Sequence, residues 1–168
     1  MRAVHRADSP TYLFVDVDIA EDAVAGDYIL RFSDGKRSYD RSYTIAAREE
    51  GSHLRKSFTT ADFVYLIMPD RFANGDESND STWNTVEKVN RSNPGRRHGG
   101  DIQGIIDHLD YIADLGATAI WSTPMLLDDE NGASYHGYSC SDYYLIDPRY
   151  GTNDLFKEYV EECHKRGL

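Results

Sequence analysis

The chain has 168 residues, enough for one ordinary domain or for parts of two. Hydrophobic residues make up 40% and aromatic residues 12% of the chain, which excludes a disordered polar protein. The formal net charge of −11 argues against nucleic-acid binding, because phosphate recognition needs a basic face. No apolar run reaches the roughly 18 residues of a membrane span, and no apolar core follows the first six residues as in a signal peptide.

The first third of the chain has the alternating pattern of half-buried strands. Within residues 12–19 one face carries Leu13, Val15, Val17 and Ile19. Two further alternating runs, residues 28–32 and 38–45, are joined through an Asp34-Gly35 pair, which is a strong hairpin signal. Strands with one apolar face need a second sheet to cover them. We therefore predict that residues 1–50 are the C-terminal part of an N-terminal β-sandwich domain.

The pattern changes after a charged stretch at residues 51–60, which we predict to be a linker. An apolar run at residues 63–68 predicts a buried strand, and residues 117–121 predict a second one. Helical periodicity follows each strand, and strand–helix alternation favours a parallel sheet. Two such units cannot close a barrel. We expect residues 61–168 to be an incomplete α/β domain and the sequence to be a fragment, cut at both ends.

Both predicted helices have clear start and stop signals. The first begins at Asp101 as N-cap and ends at Gly116, with apolar residues at helical spacing: Ile102, Ile105, Ile106, Leu109, Ile112 and Leu115. The second begins at Thr152 and ends at Gly167. Its last turn carries the cations that the helix dipole favours, namely His164, Lys165 and Arg166.

Oxygen-bearing side chains are concentrated between the first strand and the first helix. They come from residues 71–80 and from the turn before the helix: Asn74, Asp76, Asn79, Asp80 and Asp101, with a carbonyl near Gly99. Calcium binds six to eight such oxygens, but the same residue types also build ordinary surface turns. Composition therefore leaves both readings open. An EF-hand is excluded, because Asn79 stands where that loop needs glycine and Thr85 where it needs glutamate.

Three blocks of sequence stand in a definite order on this strand–loop–helix frame: residues 69–76, 98–105 and 137–152. Together they resemble the α-amylase superfamily of glycoside hydrolases, in its neopullulanase, cyclomaltodextrinase and maltogenic amylase branch. Residues 121–124, Trp-Ser-Thr-Pro, are similar to the end of that family's second barrel strand. The resemblance implies an α/β fold, namely the first two βα units of a TIM (β/α)8 barrel after the end of an immunoglobulin-like β-sandwich.

The resemblance also implies roles for particular residues. A structural calcium is expected on Asn74, Asp76, Asn79, Asp80, Gly99 (through its carbonyl) and Asp101. Tyr138 matches the tyrosine that stacks on the sugar beside the cleaved bond, whereas its position alone leaves a core tyrosine equally open. His136 and Asp142 are weaker candidates for lining the same site. Among other carboxylates, Asp107 and Asp110 fall on an outer helix and are expected to face solvent.

The activity implied is that of a retaining α-glucan hydrolase. It would cleave α-1,4 bonds, with α-1,6 bonds left open, in starch-type oligosaccharides, pullulan or cyclodextrins. No catalytic residue is assigned here, because the family's catalytic carboxylates would follow Leu168, and residues 1–168 alone are expected to be inactive. The alternatives are a non-catalytic barrel that binds carbohydrate or a protein partner, and another enzyme of the same superfamily, either a transglycosylase or an isomerising enzyme. Expected partners are an α-glucan oligosaccharide and a second copy of the complete protein, in the periplasm or the cytoplasm.

Overall fold

The computed structural model describes residues 2–9, 11–55 and 57–168. Met1 and Pro10, in the predicted sandwich domain, and Lys56, in the predicted linker, lie outside the described residues. The chain divides into two compact units, residues 1–57 and 58–168. Over the described ranges, no helix combines the length and the apolar character needed to cross a bilayer.

The first unit contains two antiparallel pairs of strands. β1 (Ala3–Arg6) pairs with β2 (Leu13–Asp16), and β3 (Gly26–Ser33) pairs with β4 (Ser38–Ile45). The second pair confirms the predicted hairpin. At its turn Asp34 Oδ1 accepts the N–H groups of Lys36 and Arg37 at 2.8 and 2.7 Å, and Gly35 supplies the positive φ of 87°.

The strand predicted over residues 12–19 is shorter than expected and only partly covered. β2 ends at Asp16, and β1, which the pattern did not predict, is its partner. Val15 and Val17 are half-buried, whereas Leu13 is 45% and Ile19 54% exposed. Within this unit the predicted apolar face is therefore left largely open.

The second unit is built around a parallel pair of strands, as predicted. β5 (Val64–Ile67) is followed by a single helical turn, α1 (Pro69–Phe72), and a long loop, then by helices α2 (Ile102–Ile106) and α3 (Leu109–Asp114). β6 (Ala119–Ser122) lies parallel to β5 in a register that runs from Val64↔Ala119 to Ile67↔Ser122. The remaining elements are β7 (Leu126–Leu127), which pairs antiparallel with β8 (Asp142–Ile146), and α4 (Asn153–Lys165).

The single helix predicted from Asp101 to Gly116 is in fact two helices, because His108 interrupts the backbone. The imidazole Nδ1 of His108 lies 2.7 Å from the Gly104 carbonyl, the usual acceptor for the backbone N–H four residues later. The His108 N–H bonds instead to Ile105 O at 3.0 Å, and its φ and ψ of −117° and 13° leave the helical region. The predicted apolar face survives the break: Ile102, Ile105, Leu109 and Ile112 are fully buried, while Leu115 is 45% exposed.

The start and stop signals of both helical segments are confirmed. Asp101 caps α2 by accepting the Gly104 N–H at 2.6 Å, and Thr152 Oγ caps α4 by accepting the Leu155 N–H at 3.0 Å. Gly116 and Gly167 leave their helices with φ of 84° and 77°.

The core lies between one face of the β5–β6 pair and the helices. It contains Ile67, Met125, Ile146, Tyr150, Tyr159 and the four buried residues of α2 and α3. On the other face Leu66 and Trp121 are partners in register and are 61% and 62% exposed. Because β5 and β6 are parallel, their carboxyl ends lie at the same end of the sheet. The loops at residues 68–101 and 123–141 both begin at that end.

Candidate functional site

Asp70, at the start of the loop that follows β5, holds the end of the same loop in place. This carboxylate is 1% exposed and accepts the N–H groups of His98, at 2.9 and 3.0 Å, and Gly99, at 3.2 Å. It is also ion-paired with Arg71. A side chain at Gly100 would place its Cβ 2.1 Å from the Pro69 carbonyl, so only glycine allows this close return of the backbone.

Asp101 organises the other half of the same loop. Its carboxylate is completely buried and accepts four hydrogen bonds. The donors are the N–H groups of Gly75 (3.0 Å), Asp76 (2.8 Å) and Gly104 (2.6 Å) and the Asn79 side-chain amide (3.1 Å). One carboxylate thus caps α2 and holds residues 75–79 against the helix.

The structure brings the predicted calcium-binding residues together around these bonds. Asp80 Oδ1 accepts from the Asn74 amide at 2.6 Å, and a Cβ at Gly99 would lie 2.2 Å from the same oxygen. Asp76 Oδ1 is engaged locally by the Ser78 N–H at 2.9 Å.

Two buried oxygens in this cluster lack a hydrogen-bond partner within the described ranges, namely Asn74 Oδ1 and Asn79 Oδ1. Buried amide oxygens are normally satisfied, and amide oxygens are ligands that calcium accepts. No group of three or more His, Cys, Asp or Glu side chains that could hold a metal is found among the described residues. The donor set here is amides, carbonyls and separate carboxylates, which fits a hard cation and does not fit a thiolate- or imidazole-bound metal.

A network of buried charges lies next to this loop, and sequence reasoning missed it. Arg149 is 1% exposed and binds Asp147 through Nε (2.9 Å) and Nη2 (2.7 Å). The same guanidinium donates to the backbone carbonyls of Asp128 (2.6 Å) and Glu87 (2.9 Å). Burial by itself would lower the pKa of Arg149, but the hydrogen bonds and charge of Asp147 hold that pKa above its usual value.

Arg97 is the second buried cation of the network. It is completely buried, lies 3.7 Å from both Asp70 and Asp147, and stacks over the ring of Tyr150 at 4.5 Å. The Tyr150 hydroxyl donates to Tyr135 O at 2.7 Å, and burial raises the pKa of that hydroxyl. Arg97 and Tyr150 therefore connect the loop after β5 to the loop after β6.

Two of the three predicted sugar-site residues, Tyr138 and His136, lie within residues 131–139, here called the 131–139 segment. Tyr138 is 66% exposed, so it is not a core residue of the described chain. Its backbone N–H donates to His136 Nδ1 at 2.9 Å, which leaves Nε2 as the protonated nitrogen of a neutral His136. The two rings are 5.8 Å apart, and His136 Nδ1 lies 3.8 Å from Asp128 Oδ2.

The other residues singled out from the sequence, Asp142, Asp107 and Asp110, lie outside the 131–139 segment. Asp142 is half-buried at the start of β8, where its Oδ1 accepts the Tyr144 N–H at 2.8 Å. Asp107 and Asp110 are exposed, as predicted. Local pattern offers no signal for the buried charges Glu87 and Arg97, because both bind Ser134, far away along the chain. Two parts of the network fall inside the sequence blocks, namely Asp70 in the first and the Asp147-Pro148-Arg149 run in the third.

Comparison with known proteins identifies the family of this chain. The family model described as "Alpha amylase, catalytic domain" matches residues 66–168, and the one described as "Cyclomaltodextrinase, N-terminal" matches residues 1–49. Cyclomaltodextrinase of Thermoanaerobacter pseudethanolicus is 42% identical over 120 residues, which cover 71% of this chain and 20% of the relative. Neopullulanase 2 of Thermoactinomyces vulgaris is 39% identical over 125 residues, which cover 69% and 20%.

A solved structure gives the same result. The alpha-amylase of Geobacillus thermoleovorans, complexed with acarbose, aligns with a TM-score of 0.55 and 39% identity over 64% of this chain and 21% of its own. The chain thus spans about a fifth of the length of these proteins. Because the catalytic-domain model covers more than half of its residues, the chain belongs to the alpha-amylase family of glycoside hydrolases.

Proposed function

We propose that the complete protein is a retaining α-glucan hydrolase that cleaves α-1,4 glucosidic bonds in starch-type oligosaccharides, cyclodextrins or pullulan. In this proposal residues 1–50 end an immunoglobulin-like β-sandwich, residues 51–60 are a linker, and residues 61–168 are the first two βα units of a (β/α)8 barrel. Cleavage of α-1,6 bonds is the open part of the proposal. Support comes from relatives named cyclomaltodextrinase and neopullulanase and from a solved relative complexed with acarbose.

The observation that carries the proposal is the exposed ring of Tyr138 on an otherwise firmly held loop. The loop leaves the carboxyl end of β6, where α/β barrels place their functional residues. An exposed aromatic face can pack on the apolar face of a pyranose, while the hydroxyl reaches a polar partner. His136, whose Nε2–H has no hydrogen-bond partner among the described residues, would line the same sugar. Asp142 is the weaker second candidate.

The catalytic carboxylates are proposed to lie beyond Leu168. A retaining glycosidase needs a nucleophile and an acid/base about 5–5.5 Å apart. The most buried aspartates described in this unit (Asp70, Asp101, Asp128 and Asp147) all accept hydrogen bonds from backbone N–H groups or from an arginine. We therefore propose that residues 1–168 position substrate and do not perform the chemistry.

We further propose a structural calcium on Asn74, Asp76, Asn79, Asp80, Asp101 and the Gly99 carbonyl. When bound, the ion would fix the loop after β5 by joining its two ends and would supply no chemistry of its own. The unpartnered oxygens of Asn74 and Asn79 support this assignment. A cation that binds only the folded state stabilises it by mass action, so a chelator should lower the melting temperature of the complete protein.

The calcium test compares melting curves with and without chelator. Asn79→Ala should abolish the dependence on calcium, and Asn90→Ala, an exposed asparagine of the same loop, should preserve it. Identical curves in chelator and in calcium, together with no bound metal by elemental analysis, would refute the assignment.

The test of function uses Tyr138→Ala in the complete protein with maltooligosaccharide substrates. We expect kcat/KM to fall at least about tenfold, on the order of 1.4 kcal/mol of transition-state binding, with an unchanged melting temperature. Tyr111→Ala, which removes a 54% exposed tyrosine from helix α3, is the matched control and should leave kcat/KM unchanged. Full activity in a correctly folded Tyr138→Ala would remove the sugar-stacking role.

The alternative is a non-catalytic barrel that binds carbohydrate or a protein, since fold alone does not establish activity. Binding of maltooligosaccharide without any hydrolysis by the unmodified complete protein would favour it. Products larger than the substrate, formed with an acceptor sugar, would instead identify a transglycosylase.

A further inference from the structure

We infer that Glu87 is a positioning residue for the sugar-binding face of Tyr138, acting through the backbone of the 131–139 segment. This inference rests on the proposed function and deepens it. Glu87 belongs to the loop after β5, more than forty residues away along the chain, and does not itself reach Tyr138.

The contact is a carboxylate held by two successive backbone amides. Glu87 Oε1 accepts the Ala133 N–H at 3.2 Å, and Oε2 accepts the Ser134 N–H at 2.7 Å. Consecutive N–H groups that point the same way form a concave anion site. The Glu87 side chain is 2% exposed, so these bonds are shielded from competing water.

The backbone at this point has an unusual conformation that needs support. Ala133 has φ of 63°, the one positive φ among the described non-glycine residues. L-residues rarely adopt that region, and such conformations persist where surrounding groups hold them. The left-handed conformation of Ala133 directs the N–H groups of Ala133 and Ser134 at Glu87. It also starts the 3₁₀ turn Ser134–His136, which leads directly to Tyr138.

Glu87 is itself immobilised from the other side. Its backbone carbonyl accepts from Arg149 Nη1 at 2.9 Å, so the buried charge network fixes the base of the side chain. Arg96 Nη1 lies 3.4 Å from Oε1 and also donates to Asn131 O at 2.8 Å. Burial would raise the pKa of the Glu87 carboxyl, but the bonds from Ser134, Arg96 and Ala133 hold that pKa below its usual value, so the carboxylate stays charged at neutral pH.

Tyr138 needs this support because its own contacts are few. The ring is 66% exposed, and its backbone bonds to His136 of the same segment. The orientation of the ring therefore follows the path of the segment. Replacing the carboxylate with an amide would turn an NH₂ group toward one of the two N–H donors and release the Ala133–Ser134 turn.

The experiment is a double-mutant cycle of Glu87→Gln and Tyr138→Ala in the complete protein, read as kcat/KM on maltotetraose and as the melting temperature. We expect Glu87→Gln to lower kcat/KM about tenfold when Tyr138 is present and less than about twofold in the Tyr138→Ala background. The melting temperature should fall by the same amount in both backgrounds. Glu158→Gln, at an exposed glutamate of α4, is the control and should change neither quantity.

Equal losses of kcat/KM in the two backgrounds would overturn the inference while leaving the hydrolase in place. If the unmodified protein binds maltotetraose without cleaving it, the same cycle is read as Kd by calorimetry. If the unmodified protein neither binds nor cleaves maltotetraose, the proposed function is refuted, and this inference is refuted with the proposed function. Should Glu87→Gln fail to fold, Arg96→Met removes a partly exposed connection to the same segment, and its effect on kcat/KM should likewise depend on Tyr138.

Discussion

Replacing Asp101 with alanine should strongly destabilise the second unit even without metal. The Gly104 N–H is buried and would lose its acceptor, which costs about 1–3 kcal/mol. The N–H groups of Gly75 and Asp76 lie nearer to solvent, and each would lose a bond worth about 0.5–1.5 kcal/mol. The expected loss is about 4 kcal/mol, toward the upper end of single-residue effects.

The assay is thermal unfolding in the presence of chelator, so that calcium contributes nothing to the difference. In the complete barrel proposed above, of about 250 residues, a loss of about 4 kcal/mol corresponds to roughly 8–16 °C. Asp114→Ala, at an exposed carboxylate that ends α3, is the control and should shift the melting temperature by less than about 2 °C. If Asp101→Ala in chelator melts within about 2 °C of the unmodified protein, the four hydrogen bonds do not organise the loop as described.

Two further predictions concern the 131–139 segment. Gly137→Ala should impair folding of the segment, because φ at this residue is 77° and the new Cβ would lie 2.0 Å from the Pro124 carbonyl oxygen. The affinity for maltooligosaccharides, measured by calorimetry, should therefore fall. An unchanged affinity would contradict this geometry. The stability that Glu87 adds should depend on pH. Its pKa is depressed in the folded state, so the contribution is present above the unfolded value of 4.5 and disappears as pH falls through the lower folded value. Melting temperatures of unmodified protein and Glu87→Gln, compared from about pH 7 to about pH 3, should converge in acid, and a constant difference would contradict this.

Features that depend on neighbours in the chain could be predicted from the sequence. The Asp34-Gly35 hairpin, the Asp101 and Thr152 caps and the glycine exits each involve residues a few positions apart, so their physical causes are visible in a short window. The buried face of α2 and α3 follows from spacing for the same reason. The oxygen-rich loop and Tyr138 are singled out by the order of the three sequence blocks, because residue type alone leaves a surface turn and a core tyrosine open.

Tertiary structure decided where the helix breaks and what holds the loops. The His108 ring packs edge-on against Phe72 and lies 2.7 Å from the Gly104 carbonyl, a placement that periodicity does not report. The charges of Glu87 and Arg97 resemble solvated loop residues in the sequence, yet both are buried and share a hydrogen-bond partner, Ser134, that stands 47 and 37 residues away. Arg149 pairs with Asp147 two residues away but also binds the Glu87 carbonyl across 62 residues. A buried charge is tolerable only when such partners meet it, and only the folded chain brings them together.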